Sequence, residues 1–218
     1  MEYTEYTGKM KMSKDIIVVG AFPQMFEDCR EAGWNIIGAT DYEAAHMGDV
    51  KYLGTDEDFI SHAIMDYPDV LYVATPDSPK IRRKIIEQFV TAGGRFATIV
   101  VPTAKVSCSA ELGEGVVVQH NATVQAKCIL GRAVRVNVNG SVMHHSRIGD
   151  FVTVAPGAMI LGYVEIGEGA YIGANATILP HIKIGAGVVI GAGAVVTKDV
   201  PDGETWVGVP ARRLAANC

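Results

Sequence analysis

The chain has 218 residues, 49% of them hydrophobic and 20% charged, with a formal net charge of −5, which is enough apolar material for one large or two small buried cores. That charge supplies no basic field to neutralise the phosphates of a nucleic acid or an anionic membrane, so neither is expected as a partner. No segment is an unbroken apolar run of about 18 residues, Met1 to Ser13 holds no signal-peptide core, and Cys29, Cys108, Cys128 and Cys218 show no CxxC spacing, so free thiols in a cytoplasmic protein are expected.

Residues 1–14 read as a flexible N-terminus and residues 15–101 as a Rossmann-like α/β unit, because short β-branched runs alternate with helical ones in an order near βαββαβαβ. The predicted strands are Ile16 to Val19, Trp34 to Ile37, Val70 to Ala74 and Phe96 to Val100. A helix is predicted with Ser78 as N-cap and Pro79 at its first position, presenting Ile81, Ile85 and Phe89 with Arg82, Arg83 and Lys84 off that face, and ending near Gly93-Gly94. Thr55, with Asp58 three residues on, marks a similar start. The first strand runs into Val19-Gly20-Ala21-Phe22-Pro23-Gln24, where a dinucleotide fingerprint would show three glycines. A nucleotide could still meet the strand ends at the switch point of a parallel sheet, near Gly20. Asp41, after the second strand, reads either as a contact to a ribose or base or as a helix N-cap.

Over residues 102–201 the period changes. Every sixth residue from Val106 to Val196, sixteen in all, is Val, Leu or Ile, and four places after each anchor the side chain is small or aliphatic, as in Ala110, Cys128, Ala158 and Ala176. This repeat predicts a left-handed parallel β-helix, an all-β coil with three hexads per turn, so that residues eighteen apart stack about 4.8 Å from one another. Residues 202–218 are left as a C-terminal tail. With no insertion in the register, a site must be built from coil turns, the α/β unit or a neighbouring copy, and a three-sided prism favours a homotrimer.

His144 and His145 fall in the third and fourth hexad places, outside the inward set, and Gly162 lies one turn along from His144. A basic imidazole beside an uncovered backbone N–H is what acyl transfer to an amine needs, one group for the proton and one for the oxyanion. The competing reading is that two surface histidines and a turn glycine coincide. The column His145, Tyr163, His181 suggests zinc, but a third ligand is missing, so no metal is expected. His46, His62 and His120 read as structural or solvated, and Cys108 and Cys128 as filler.

With the hexads established, residues 102–212 resemble the NeuD/PglD-type sugar acetyltransferases, through Ile99-Val-Val-Pro-Thr-Ala104, Asn137, His144, Ile148-Gly-Asp150, Ala155-Pro-Gly-Ala158, Gly173, Ile190-Gly-Ala-Gly-Ala194, Val196-Thr-Lys-Asp-Val200 and Gly208-Val-Pro-Ala211. The resemblance implies an N-terminal domain that binds a nucleotide-diphospho amino sugar and a coil that binds acetyl-CoA between subunits of a trimer. It makes His144 the base, Asn137 its companion and the Gly162 N–H the oxyanion donor. Thr153, Gly162, Gly173, Ala174, Ala192 and Lys198 would line the cofactor groove, and Gly20, Asp41, Asp77, Arg82 and His145 the sugar-nucleotide side. For Arg82 a solvated helix face is the competing reading.

The implied reaction is acetyl transfer from acetyl-CoA to the amine of a UDP- or GDP-linked 4-amino-4,6-dideoxy sugar. The alternatives are O-acetylation of a sugar acid and a non-catalytic sugar-nucleotide scaffold. Three positions depart from the family. His145 stands where an acidic residue usually orients the base, leaving Asp150 or a neighbouring subunit to supply a carboxylate. Thr153 stands where a second histidine is frequent, and Phe22-Pro23-Gln24 replaces a Gly-rich turn.

Overall fold

The computed structural model describes residues 14–215. Apart from Lys14, the stretch expected to be flexible lies outside them, as does Cys218. Strand β1 (Asp15–Val19) leads through helix α1 (Pro23–Glu31) to β2 (Asn35–Thr40), then a 3-10 turn (Ala44–His46), α2 (Asp56–Ile60), α3 (Ala63–Asp66), β3 (Leu71–Ala74) and α4 (Pro79–Thr91). The strands form a parallel sheet in the order β2-β1-β3. Alternation along β1 explains the layering, since Ile16 and Val18 pack with Met25, Phe26 and Cys29 of α1 whereas Ile17 and Val19 pack with Phe59, Ile85, Ile86 and Phe89 on the opposite side. The further strand expected after β2 is reduced to one bridge, Ala39 to Tyr52. Phe22-Pro23 opens α1, with proline at a first-turn position where a missing N–H costs nothing.

One expectation for α4 is corrected. Its buried stripe is Arg82, Ile85, Ile86 and Phe89, at the i, i+3, i+4, i+7 spacing of one helical face, while Ile81 is 54% exposed. Ser78 is the N-cap residue but its hydroxyl makes no capping bond, unlike Thr55, whose Oγ1 accepts from the Asp58 N–H at 3.2 Å.

The strand expected over Phe96 to Val100 divides between the two halves. Phe96 bridges Tyr72 of the α/β sheet, whereas Ile99–Val100 pairs with Val117–Val118 as the first rung of the coil. The coil therefore starts before Pro102. Two-residue strands repeat to Val195–Val196 and stack as three parallel sheets, an arrangement that fits a left-handed β-helix. We call them the first face (from Ile99–Val100), the second face (from Lys105–Val106) and the third face (from Glu111–Leu112). The eighteen-residue register holds throughout, as in Val118, Val136 and Val154, and the anchors form one continuous core. After Val196 the last turn shortens, so that Ile184 bridges Val200 and Ile190 pairs with Trp206. The expected tail thereby supplies Thr205–Val207 and Arg212–Arg213, which complete the first face.

From Gly115 to Gly193 every turn between faces places its fourth hexad residue in the left-handed region. The non-glycine cases are Asn121, Lys127, Ala133, Asn139, His145, Phe151, Tyr163, Asn175 and His181, with φ of 53 to 63°. Third-place N–H groups take no part in the rungs.

The α/β unit docks on the first face and on the corner between the third and first faces, through buried polar groups. Arg82 is 2% exposed, and its guanidinium donates to the carbonyls of Ala133 (3.0 Å), Pro76 and Asp77 (2.9 Å each) and Phe151 (2.7 Å) and to Thr153 Oγ1 (3.0 Å). Burial, with the like charge of Arg135 second, presses its pKa down to about 9, against the pull of Asp77. Arg135, buried on the first face, donates to the carbonyls of Ala74 at 2.7 Å and of Thr75. Asp28 of α1 is fully buried and accepts from Gln119 Nε2 at 2.7 Å and Gln24 Nε2 at 3.1 Å.

Candidate active site

His144 and His145 occupy the corner between the second and third faces, which in a three-sided coil lies opposite the first face and so away from the chain's own α/β unit. The eighteen-residue rule holds here in atomic detail. A Cβ built on Gly162 would lie 2.6 Å from His144 Cε1 and 3.0 Å from Nε2, so the imidazole lies against the Gly162 backbone and only a residue without a side chain leaves it room. The Gly162 N–H has no hydrogen-bond partner among the described residues. An exposed imidazole is thus held against a buried glycine whose backbone N–H has no partner among the described residues.

His145, at φ 63°, points its ring along the same corner. It stacks on Tyr163 at 4.7 Å with an interplanar angle of 15°, and Tyr163 stacks on His181 at 5.0 Å and 7°. The phenol ring therefore stands between the two imidazoles that suggested zinc. His144 meets both His145 and Tyr163 edge-on, and its Nδ1 is 3.2 Å from His145 Nδ1. Asp150 does not partner His144: it lies at a different corner, where its carboxylate accepts from the Arg132 backbone N–H and Nε at 2.8 and 2.9 Å.

Other residues singled out in the sequence fall elsewhere. Asn137 is on the first face and donates to Asp77 Oδ1 at 2.9 Å; among the described residues no hydrogen bond joins it to His144. Asp77 also receives the Tyr171 hydroxyl at 3.4 Å. Thr153, expected near the cofactor, is fully buried beneath α4, donates to the Asp77 carbonyl at 2.7 Å and accepts from Arg82, so its hydroxyl cannot reach a groove. Arg82 fits neither of its two readings, since the guanidinium is spent on joining the halves. Gly173 is buried, and a Cβ there would sit 2.5 Å from the Ile190 carbonyl and 2.7 Å from the Ala192 nitrogen, so close stacking of turns accounts for it. Ala174 and Ala192 stack at the corner between the first and second faces. Lys198 holds its ammonium 5.2 Å from the Trp206 ring centroid.

At the carboxyl ends of the parallel strands, Gly20 adopts φ 78° with its N–H 3.4 Å from Thr40 Oγ1. Asp56, a residue that motif reading passed over, bonds to the Thr40 hydroxyl, and burial raises its pKa against the effect of that bond. Asp41 accepts from the Tyr42 N–H at 2.8 Å and pairs with His46 Nδ1 at 2.9 Å; it caps no helix, the 3-10 turn starting from Glu43. Sequence reading also missed Arg135, Gln119 and Tyr171. The eighteen-residue step that linked His144 to Gly162 would have aligned Arg135, Thr153 and Tyr171 as one column on the first face. His62 and His120 lie near carboxylates, His62 with Asp66 at 2.7 Å and His120 with Asp28 at 3.2 Å. No helix of the described residues is long and apolar enough to cross a membrane, and no three His, Cys, Asp or Glu among them cluster as metal ligands.

The family model described as bacterial transferase hexapeptide (six repeats) matches residues 145–180 and 163–198. No curated protein sequence matches the chain. Among solved structures, the acetyltransferase domain of PglB from Neisseria gonorrhoeae FA1090, in complex with acetyl coenzyme A, is 31% identical with a TM-score of 0.85, and the match covers 93% of this chain and 100% of that one. PerB from Caulobacter crescentus, in complex with CoA and GDP-perosamine, is 27% identical over 92% of this chain and 97% of that one, with a TM-score of 0.85. WeeI from Acinetobacter baumannii AYE is 28% identical over 92% and 100%, with a TM-score of 0.80. A hexad coil with a histidine over a bare glycine, joined to an α/β unit in the same order and over the same length as these proteins, places the chain in a family: it belongs to the NeuD/PglD-type sugar acetyltransferases of the hexapeptide-repeat class.

Proposed function

We propose that the chain transfers the acetyl group of acetyl-CoA to the amine of a nucleotide-linked amino sugar, with the Rossmann-like N-terminal unit holding the sugar nucleotide and the coil holding acetyl-CoA. The amine nitrogen attacks the thioester carbonyl, His144 Nε2 accepts the proton that nitrogen sheds, and the Gly162 N–H donates to the oxyanion. Collapse breaks the C–S bond, and the proton leaves with the CoA thiolate. The observation that carries this reading is the contact of the His144 ring with the Gly162 backbone beside an unpartnered N–H. One oxyanion donor is worth about 10²- to 10³-fold in rate, and general-base help about 10²- to 10⁴-fold. The relatives support the choice of substrates, one with acetyl coenzyme A bound and one with CoA and GDP-perosamine.

The position of His144 also supports a shared site. Its corner is opposite the face that carries the chain's own α/β unit, so a sugar nucleotide at those strand ends meets the imidazole of a neighbouring copy. Asp77, Asn137 and Tyr171, gathered where β3 ends against the first face, are then the surface a neighbour's corner approaches. Light scattering after size exclusion is expected to give three times the monomer mass; a monomer that turns over would contradict the shared site.

The direct test is thiol release from acetyl-CoA with UDP-, GDP- and dTDP-linked amino sugars. Turnover with one member, giving an amide stable to mild alkali, is expected; an alkali-labile ester would move the assignment to O-acetylation, and absence of CoA binding would point to a scaffold. Gly162→Ala is expected to lower turnover by at least the roughly 10-fold that a misplaced base entails, while the coil keeps its melting temperature within a few degrees, because the new Cβ displaces the His144 ring at an exposed corner. Wild-type turnover in that variant would separate the glycine from the chemistry.

A further inference from the structure

A base that works through Nε2 must carry its resting proton on Nδ1, and something must hold it there. Among the described residues no carboxylate is hydrogen-bonded to His144, the role one plays in many histidine sites. Asp150 is bound to Arg132 at another corner, and the other charged or titratable groups in this corner's columns are Cys108, Lys127, Tyr163, His181, Lys198 and Asp199; only Tyr163 has a ring contact with His144, and Asp199 accepts from the Lys183 N–H at 2.8 Å. What stands next to His144 Nδ1 is another Nδ1, that of His145, at 3.2 Å. Two ring nitrogens at that separation form a hydrogen bond only when one carries a proton and the other a lone pair. The orientation of His145 is itself constrained twice, by a left-handed backbone that fixes where its Cβ points and by stacking on Tyr163, which in turn stacks on His181.

We infer that His145 is the positioning residue for His144: its unprotonated Nδ1 accepts the His144 Nδ1–H, fixes that tautomer, and leaves the Nε2 lone pair turned to the amine. The inference rests on the reading of His144 as the base. His145 keeps its own proton on Nε2. When His144 takes the amine's proton, the resulting imidazolium still shares its Nδ1–H with His145, and the same proton later leaves from Nε2 to the thiolate, so the pair returns to its starting state. Protonating His145 at Nδ1 turns the acceptor into a donor and ends the arrangement. Either imidazole, once charged, therefore disables the site. His181 lies beyond Tyr163, a ring further from His144.

The test compares His145→Phe, His145→Asn and His144→Ala with the wild type, each checked for trimer mass and acetyl-CoA binding. Phenylalanine keeps a ring to stack on Tyr163 but has no acceptor, and kcat is expected to fall about 10- to 100-fold, the usual effect of losing an imidazole's orienting partner, with the acetyl-CoA KM unchanged. Asparagine tolerates the left-handed backbone and places Oδ1 as many bonds from Cα as Nδ1, so it is expected to keep kcat within roughly threefold. On the acid side, log kcat/KM of the wild type is expected to approach a slope of two and that of His145→Asn a slope of one. Wild-type kcat in His145→Phe, a loss in His145→Asn as deep as in His145→Phe, or a wild-type slope of one would overturn the inference. If His144→Ala loses turnover while His145→Phe does not, the base stands and only its partner is wrong; if His144→Ala keeps full turnover, the base assignment itself fails.

Discussion

Turnover of His144→Ala is expected to fall by about 10²- to 10⁴-fold, the range that general-base catalysis supplies. The loss should appear equally in kcat and kcat/KM, since the imidazole acts on a proton that moves only in the transition state. Acetyl-CoA affinity, measured by calorimetric titration, should remain close to wild type, because a residue that acts only on the migrating proton contributes nothing to ground-state binding. Melting temperature should also hold, the ring being exposed at its corner. A fall in affinity matching the fall in rate would show that His144 binds the cofactor rather than taking the proton.

The largest effect on stability is expected at Arg82→Ala. This guanidinium serves acceptors from both halves, the carbonyls of Pro76 and Asp77 on one side and those of Ala133 and Phe151 with the Thr153 hydroxyl on the other. Truncation leaves these buried acceptors without donors and opens a void in a fully covered site. Breaking a buried charged network of this kind costs about 3 to 5 kcal/mol, which for a chain of this size lowers the melting temperature by roughly 10 °C. Arg82→Lys should recover little of it, because a single ammonium cannot reach acceptors spread around a planar fork. Calorimetry decides the matter; a melting temperature within 2 °C of wild type, well inside the roughly 10 °C expected, would show that apolar packing alone joins the halves.

The coil was legible because its constraint is periodic. A wrong residue at an anchor such as Val136 or Ile160 would empty a rung, so every sixth side chain reports the same packing, and the eighteen-residue step set His144 against Gly162 before any coordinate was known. The α/β unit was legible in β1, β2, β3 and α4, with Thr55 and Pro79 marking starts that the structure retains, whereas Phe96 to Val100 divides between the halves. The seam between the halves was not legible. Arg82 reads as polar in a local window, and nothing within α4 says that its stripe faces carbonyls of Ala133 and Phe151 rather than water. Thr153 and Asn137 were hidden for the same reason: their partners lie 60 or more residues away in sequence, and burial of a polar side chain depends on a docking that no local pattern encodes. His145 was read by what it lacks, a negative charge, whereas its neighbour responds to where its nitrogen lies.

The left-handed turns carry a last consequence. Each turn of the coil makes the same bend three times, so the corners can be compared with one another inside a single molecule. Between the first and second faces the left-handed places hold Asn121, Asn139, Gly157, Asn175 and Gly193, residue types that take this conformation readily; between the third and first they hold Gly115, Ala133, Phe151, Gly169 and Gly187, departing from glycine only where the α/β unit leans on the coil. Between the second and third faces they hold Lys127, His145, Tyr163 and His181, with no glycine or asparagine among them. At about 1 kcal/mol for each such residue, this edge departs furthest from what the backbone alone would choose. A survey of conformational preference around the prism, blind to the reactivity of any side chain, singles out the edge on which His144 meets Gly162.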